Sequence, residues 1–98
     1  MLKQSAEGDI TIALFMGMTK KYSYLHHKIV YEKGFSTYAE EELKYQSSFD
    51  WLIPVAQEII YKYPPTNYDF DSEYKKNPYD KKHIYKCVLL YIKSLEEV

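Results

Sequence analysis

Asp-Trp-Leu-Ile-Pro-Val-Ala-Gln-Glu-Ile-Ile, residues 50–60, is the most strongly patterned stretch of this chain. At about 100° per residue its apolar side chains cover one broad arc, which predicts an amphipathic helix from Asp50 to about Tyr63. Ser48 or Asp50 can cap its start, so that Pro54 falls within about the first turn, where a missing N–H costs little. Pro64 and Pro65 end it. The arc assigns these residues to a core: Trp51, Leu52, Val55, Ala56, Ile59, Ile60 and Tyr63.

A second long helix is predicted at the other end of the chain. Asn77 can cap its start and Pro78 suits the first helical position, while the apolar spacing continues to about Glu96. Its buried face should carry Ile84, Cys87, Val88, Tyr91, Ile92 and Leu95.

Shorter elements are predicted elsewhere. Residues 10–18 favour a short helix that Gly17 can end in the left-handed conformation. Residues 22–38 predict a hairpin with a turn at residues 32–34, because Leu25, His27, Ile29 and Tyr31 alternate with the residues between them. Residues 39–45 fit either a helix, with Thr37 and Glu40 as a capping box, or an extended stretch. Residues 68–74 alternate aromatic with acidic side chains, which predicts a two-sided strand.

These elements predict a small two-layer α+β domain. We expect about three antiparallel strands, two long helices packed on one face and a short N-terminal helix. A chain of 98 residues is too short for two cores, so residues 1–98 should form a single domain. With 46% hydrophobic and 28% charged residues, the composition is typical of a globular protein.

The sequence favours the cytoplasm. No apolar run approaches the ~20 residues that span a bilayer, and residues 1–9 lack the pattern of a signal peptide. The single cysteine, Cys87, cannot form an internal disulfide and falls on the apolar face of a predicted helix.

For each possible catalytic or metal-binding group in the sequence, a purely structural role explains the residues better. His26 and His27 would point to opposite faces of a strand, so they could not easily share a metal ion. Asp69, Asp71 and Glu73 fit a solvated strand face better than a calcium loop. The sixth position of such a loop turns sharply and needs glycine, but here it is Tyr74. We therefore expect no enzyme activity, no cofactor and no metal.

A row of lysines suggests one alternative. Lys82, Lys86 and Lys93 should lie on one side of the last helix, where they could meet phosphates of a nucleic acid. The net charge of −1 argues against this, because nucleic-acid-binding domains usually carry a basic excess.

The twelve tyrosines suggest a surface for another protein. Exposed tyrosines suit contact surfaces, because they offer a large area at low entropy cost. A homo-oligomer could also use them. The residues that helical and strand periodicity leave partly outside are Tyr22, Tyr24, Tyr61, Tyr79, Tyr85 and Leu89.

Residues 43–60, Leu-Lys-Tyr-Gln-Ser-Ser-Phe-Asp-Trp-Leu-Ile-Pro-Val-Ala-Gln-Glu-Ile-Ile, resemble a helix of small phage and prophage proteins of Bacteroidetes-type bacteria, which reads like Tyr-x-Ser-Ser-x-Asp-Trp-Leu-Met-Pro-Val-Val. Residues 15–18 and 84–93 resemble the first and last helices of the same proteins; Ile53, Ala56 and a missing terminal Trp-Tyr depart from them. The resemblance implies a phage or mobile-element accessory protein that acts inside a bacterial cell. The absence of a catalytic pattern and the tyrosines favour a non-catalytic protein that binds a host or phage protein in the bacterial cytoplasm. Inhibition of a bacterial defence component is one instance.

Overall fold

The computed structural model describes residues 7–62 and 68–96, and it confirms the predicted small α+β class. The described residues form a three-stranded antiparallel sheet and four α-helices. The chain divides into two compact units, Met1–Leu43 and Lys44–Val98. That residues 1–98 fold as a single domain stays a prediction.

The first unit begins with helix α1, Glu7–Phe15, which starts three residues before the predicted residue 10. Gly17 ends it as predicted, with a φ of 91°. The N–H of Gly17 donates to the carbonyl of Leu14 (3.1 Å), and the N–H of Met18 donates to that of Ala13 (3.0 Å). This pair of bonds satisfies two carbonyls that the helix end would otherwise leave open.

The sheet follows with β1 (Thr19–Ser23), β2 (Lys28–Lys33) and β3 (Ser36–Ala39), with β2 in the centre. Lys21 pairs with Val30 across β1 and β2, and Glu32 pairs with Thr37 across β2 and β3. The predicted hairpin of residues 22–38 corresponds to β2 and β3, and β1 is an additional strand that was not predicted.

The predicted strand around residues 24–31 is wrong in its first half, where residues 24–27 form the turn between β1 and β2. The hydroxyl of Ser23 accepts a hydrogen bond from the N–H of His26 (3.3 Å), which gives the backbone a local partner in place of a strand. The predicted turn at residues 32–34 is also displaced. It lies at Gly34 and Phe35, with Gly34 at a φ of 61°.

Residues 39–45, for which the sequence allows either a helix or an extended stretch, contain a short 3-10 helix, Glu40–Glu42. The carboxylate of Glu42 accepts a hydrogen bond from the backbone N–H of Ala39 (2.8 Å). The predicted box of Thr37 with Glu40 does not form, because Thr37 lies in β3 and its hydroxyl donates to Glu32 (3.2 Å).

In the second unit, α2 spans Phe49–Lys62, within a residue of the predicted bounds. Its buried face consists of Leu52, Val55, Ala56 and Ile59. Trp51, predicted in the core, is only half-buried, and its ring meets that of Tyr45 edge to face at 5.1 Å. Ile60, also predicted in the core, is 38% exposed. Tyr63, Pro64 and Pro65 lie outside the described residues.

Residues 68–74 are not the predicted strand, because helix α3 spans Phe70–Lys76. Phe70 and Tyr74 share a face in either conformation, since four residues are two strand repeats and about one helical turn. Their ring centroids lie 5.7 Å apart. The carboxylate of Asp69 accepts from the N–H of Ser72 (3.3 Å) and so caps the helix.

Helix α4 spans Lys81–Glu96 and packs against α2 and α3. It begins after Asp80, whose carboxylate accepts from the N–H of Lys82 (3.0 Å), rather than at the predicted Asn77. Leu95, predicted as buried, is half-buried. The other predicted residues are buried: Ile84, Cys87, Val88, Tyr91 and Ile92. Over residues 7–62 and 68–96, no helix combines the length and the apolar character that a membrane crossing requires.

Candidate functional site

The turn between β1 and β2 carries the most exposed pair of neighbouring apolar residues in the first unit's hairpin. Tyr24 is 82% exposed and Leu25 is 84% exposed. The ring of Tyr24 meets that of Tyr22 edge to face, with centroids 5.0 Å apart. We call the group Tyr22, Tyr24, Leu25 and His26 the hairpin-tip surface.

A hollow of about 380 Å³ adjoins the hairpin-tip surface, whose four residues line part of it. Val30, which is buried, lies at the sheet side of this hollow together with Glu32. One oxygen of Glu32 lies 3.5 Å from the ammonium of Lys21, and the other accepts from the hydroxyl of Thr37. Apolar residues beside a charged, hydrogen-bonded group suit a side chain that has both an apolar body and a polar end.

The backbone at the tip is held in a conformation that most residues avoid. His27 has a φ of 53°, in the left-handed region, and it is the one such non-glycine residue among those described. This conformation costs a side-chain-bearing residue up to about 1–2 kcal/mol, less for histidine than for branched residues. Backbone strain of this kind is concentrated at functional sites.

Of the six residues predicted for protein binding, the structure brings Tyr22 and Tyr24 into contact. Tyr61, at the end of α2, is 80% exposed, and Tyr79, just before α4, is 89% exposed. Tyr85 and Leu89 are half-buried and lie one turn apart on α4.

Sequence periodicity missed Leu25, because it placed this residue on the inward face of a strand. The signal that could have found it is Ser23, whose hydroxyl favours a turn over a continuing strand. The four residues after Ser23 include no glycine or proline, so their composition is not typical of a turn.

The lysines of the alternative site are all exposed. Lys82 and Lys86 lie on successive turns of α4, and Lys93 lies in its last turn. Lys81 has a different environment: its ammonium donates to the carbonyl of Ser47 (3.3 Å) and lies 5.4 Å from the ring centroid of Phe49.

A cysteine and a histidine meet between α3 and α4. The sulfur of Cys87 lies 3.6 Å from Nε2 of His83, which lies 2.6 Å from the carbonyl oxygen of Glu73. Because a carbonyl only accepts, Nε2 carries the proton and donates it to this oxygen. The same nitrogen therefore cannot take a proton from the thiol, as the base of a cysteine nucleophile must.

Tyr68 completes this group. Burial, and next the hydrogen bond between its hydroxyl and Cys87, raise the pKa of Tyr68 above its usual range. Cys87 is 2% exposed. The arrangement can join α3 to α4, and a buried thiol of this kind is not accessible to a substrate.

No group of three or more histidine, cysteine or acidic residues could hold a metal ion among residues 7–62 and 68–96. No family model matches the chain, and neither a curated protein nor a solved structure shows significant similarity to it. The resemblance to small phage proteins therefore stays a prediction.

Proposed function

We propose that this chain is a non-catalytic binding protein that contacts another protein through its hairpin-tip surface. The exposure of Tyr24 and Leu25 beside the Tyr22 ring carries this proposal. Exposed aromatic and apolar residues that adjoin one another are typical of interaction sites, whereas single exposed apolar residues are common and need no function.

The hollow beside the tip supports the same function. Interfaces gain most of their affinity where a large side chain enters a well-formed depression. The residues of the tip line this hollow together with Val30, and Glu32 and Thr37, which are joined by a hydrogen bond, also line it. A partner side chain could therefore bury an apolar body against the tip residues and Val30, and direct a polar end to Glu32 and Thr37.

The partner in this proposal is a host or phage protein in the bacterial cytoplasm. Support for this context comes from the resemblance of residues 43–60 to small phage proteins. An inhibitor of a bacterial defence component would fit a small binding protein, since occupying a surface of its target is sufficient for inhibition.

The test is a quantitative pull-down from the bacterial host, with nuclease added, using the purified chain and two double variants. Y24A with L25A removes the exposed tip. Y61A with Y79A removes two tyrosines of the second unit that are as exposed as Tyr24 and Leu25, so it is matched in exposure.

We expect the tip variant to lose the partner, with a binding loss of about 2 kcal/mol or more, while the second variant retains it. Retention of the partner by the tip variant would contradict the proposal, whatever the second variant does. Nucleic acid recovered without a protein partner, and lost when Lys82, Lys86 and Lys93 become Glu, would favour the alternative.

A further inference from the structure

Strand β1 is an edge of the sheet, since the strand order places β2 on one side of it. Among the residues that the structure describes, no strand pairs with its other side. Residues 19–22 are all exposed, and Ser23 is half-buried. An edge of this kind offers a row of backbone N–H and C=O groups to an incoming strand.

Two adjacent lysines give this edge a charge of its own. Lys20 and Lys21 point to opposite faces of the sheet, because successive strand residues alternate. Residues 19–33 contain four lysines and one acidic residue, although the whole chain has a net charge of −1. Lys21 lies 3.5 Å from Glu32, but its side chain keeps 60% of its exposure. Both lysines can therefore meet a new carboxylate.

A second copy of the chain is a poor partner for this edge. In an antiparallel pair of β1 strands centred on Lys21, that residue would lie opposite its own copy. Like charges placed directly opposite each other destabilise a strand pair, and lysines on edge strands disfavour self-association in this way.

We propose that β1 pairs, as part of the proposed protein-binding function, with an extended acidic segment of the partner protein. The segment adds a fourth, antiparallel strand with two adjacent acidic residues opposite Lys21 and Lys20. The residue opposite Tyr22 is aromatic or β-branched and precedes the two acids, so that it lies on the Tyr22 side next to the hairpin-tip surface. Backbone hydrogen bonds hold the segment, and the acidic pair selects it.

Titration of synthetic peptides against the whole chain tests this inference. The first peptide has an aromatic residue followed by two glutamates within a β-branched sequence, and a matched peptide has lysines in place of the glutamates. We expect the acidic peptide to bind about tenfold or more tightly than the basic one. K20E with K21E should reverse this preference, whereas K82E with K86E, an equal change of charge on α4, should leave it unchanged.

Backbone pairing is tested separately with two further acidic peptides. One is N-methylated at alternate residues starting from an even position, and the other starting from an odd position. Only one side of an added strand faces β1, so one methylated peptide should lose binding and the other should keep it. Equal loss or equal retention would contradict strand addition, as would self-association of the chain through β1 in sedimentation.

The outcomes separate this inference from the proposed function. If Y24A with L25A loses the protein partner, but the acidic peptide neither binds nor competes, the acidic-strand inference fails and the binding function stands. If the peptide binds while the tip variant keeps its partner, the hairpin-tip assignment fails and the edge inference stands.

Discussion

The imidazole Nε2 of His83 donates to the backbone carbonyl oxygen of Glu73 at 2.6 Å, and this contact links the last turn of α3 to the first turn of α4. The carbonyl belongs to the end of a seven-residue helix, where the last four carbonyls lack regular partners. The N–H of Asn77, four residues on, donates instead to Tyr74 (3.3 Å). His83 therefore acts as a cap supplied from the next helix.

Removal of this cap should destabilise the protein. H83A leaves the Glu73 carbonyl without its donor in a partly buried position, and we expect a loss of about 1–2 kcal/mol in the free energy of unfolding. H83Q offers an amide N–H in nearly the same place and should recover part of that loss. Urea denaturation measures both, and equal losses for the two variants would contradict the capping role.

Alkaline pH should destabilise the fold through Tyr68. Its pKa is raised in the folded state, so the native protein holds a proton that the unfolded chain releases near pH 10. This contribution to stability is complete below about pH 10 and is lost as the pH rises through the folded-state pKa. Burial also raises the pKa of Tyr31, which adds to the same trend.

The variant Y68F should reduce the fall of unfolding free energy between about pH 10 and 11. Y61F, at an exposed tyrosine of the same unit, provides the control for the loss of a hydroxyl. A slope equal to that of the original chain in Y68F would show that another group dominates the alkaline transition.

The strain at the hairpin tip predicts a stabilising substitution. His27 has a positive φ, so H27G should relieve strain and change the unfolding free energy by up to about +1 kcal/mol. H26G, at the neighbouring position without a positive φ, should lower it by about 0.5 kcal/mol through backbone entropy. Thermal denaturation distinguishes the two, and destabilisation by both would show that the turn tolerates His27 without strain.

The edge-to-face contact of Tyr45 with Trp51 should be measurable as a coupling energy. A double-mutant cycle of Y45A and W51A is expected to give about 0.5–1.5 kcal/mol, beyond the cost of lost burial. L52A, at a fully buried neighbour, should lower the free energy of unfolding by about 2–5 kcal/mol, which gives the effect of a core residue for comparison. A coupling near zero would mean that the two rings contribute only through their separate burial.

Helices α2 and α4 could be predicted because each places apolar residues on one arc. The start of α4 was predicted at Asn77, before the observed Asp80, because Asn77 and Pro78 also fit the start of a helix. The prediction of a strand failed at residues 68–74, since Phe70 and Tyr74 satisfy strand and helix periodicity equally. The capping bond of Asp69 and the ion pairs Lys75–Asp71 and Lys76–Glu73 favour the helix, and none of them is visible in an apolar pattern.

Strand β1 was missed for a different reason. Its residues are exposed on both faces, with Lys20 and Lys21 adjacent, so no alternation of apolar and polar side chains marks it. The candidate site was predicted in part, since Tyr22 and Tyr24 were identified by their periodicity. Leu25 was assigned to the sheet interior, because a strand was expected to continue where a side-chain hydrogen bond forms a turn.

The brevity of α3 makes Cys87 a reporter of local opening. A helix of seven residues is marginal on its own, so its amide hydrogens should exchange with solvent before those of α2 and α4. The thiol contacts Tyr68 and His83, on either side of this helix in sequence, and is closed to solvent in the folded chain. The rate at which a thiol reagent labels Cys87 under native conditions would therefore time the transient release of α3.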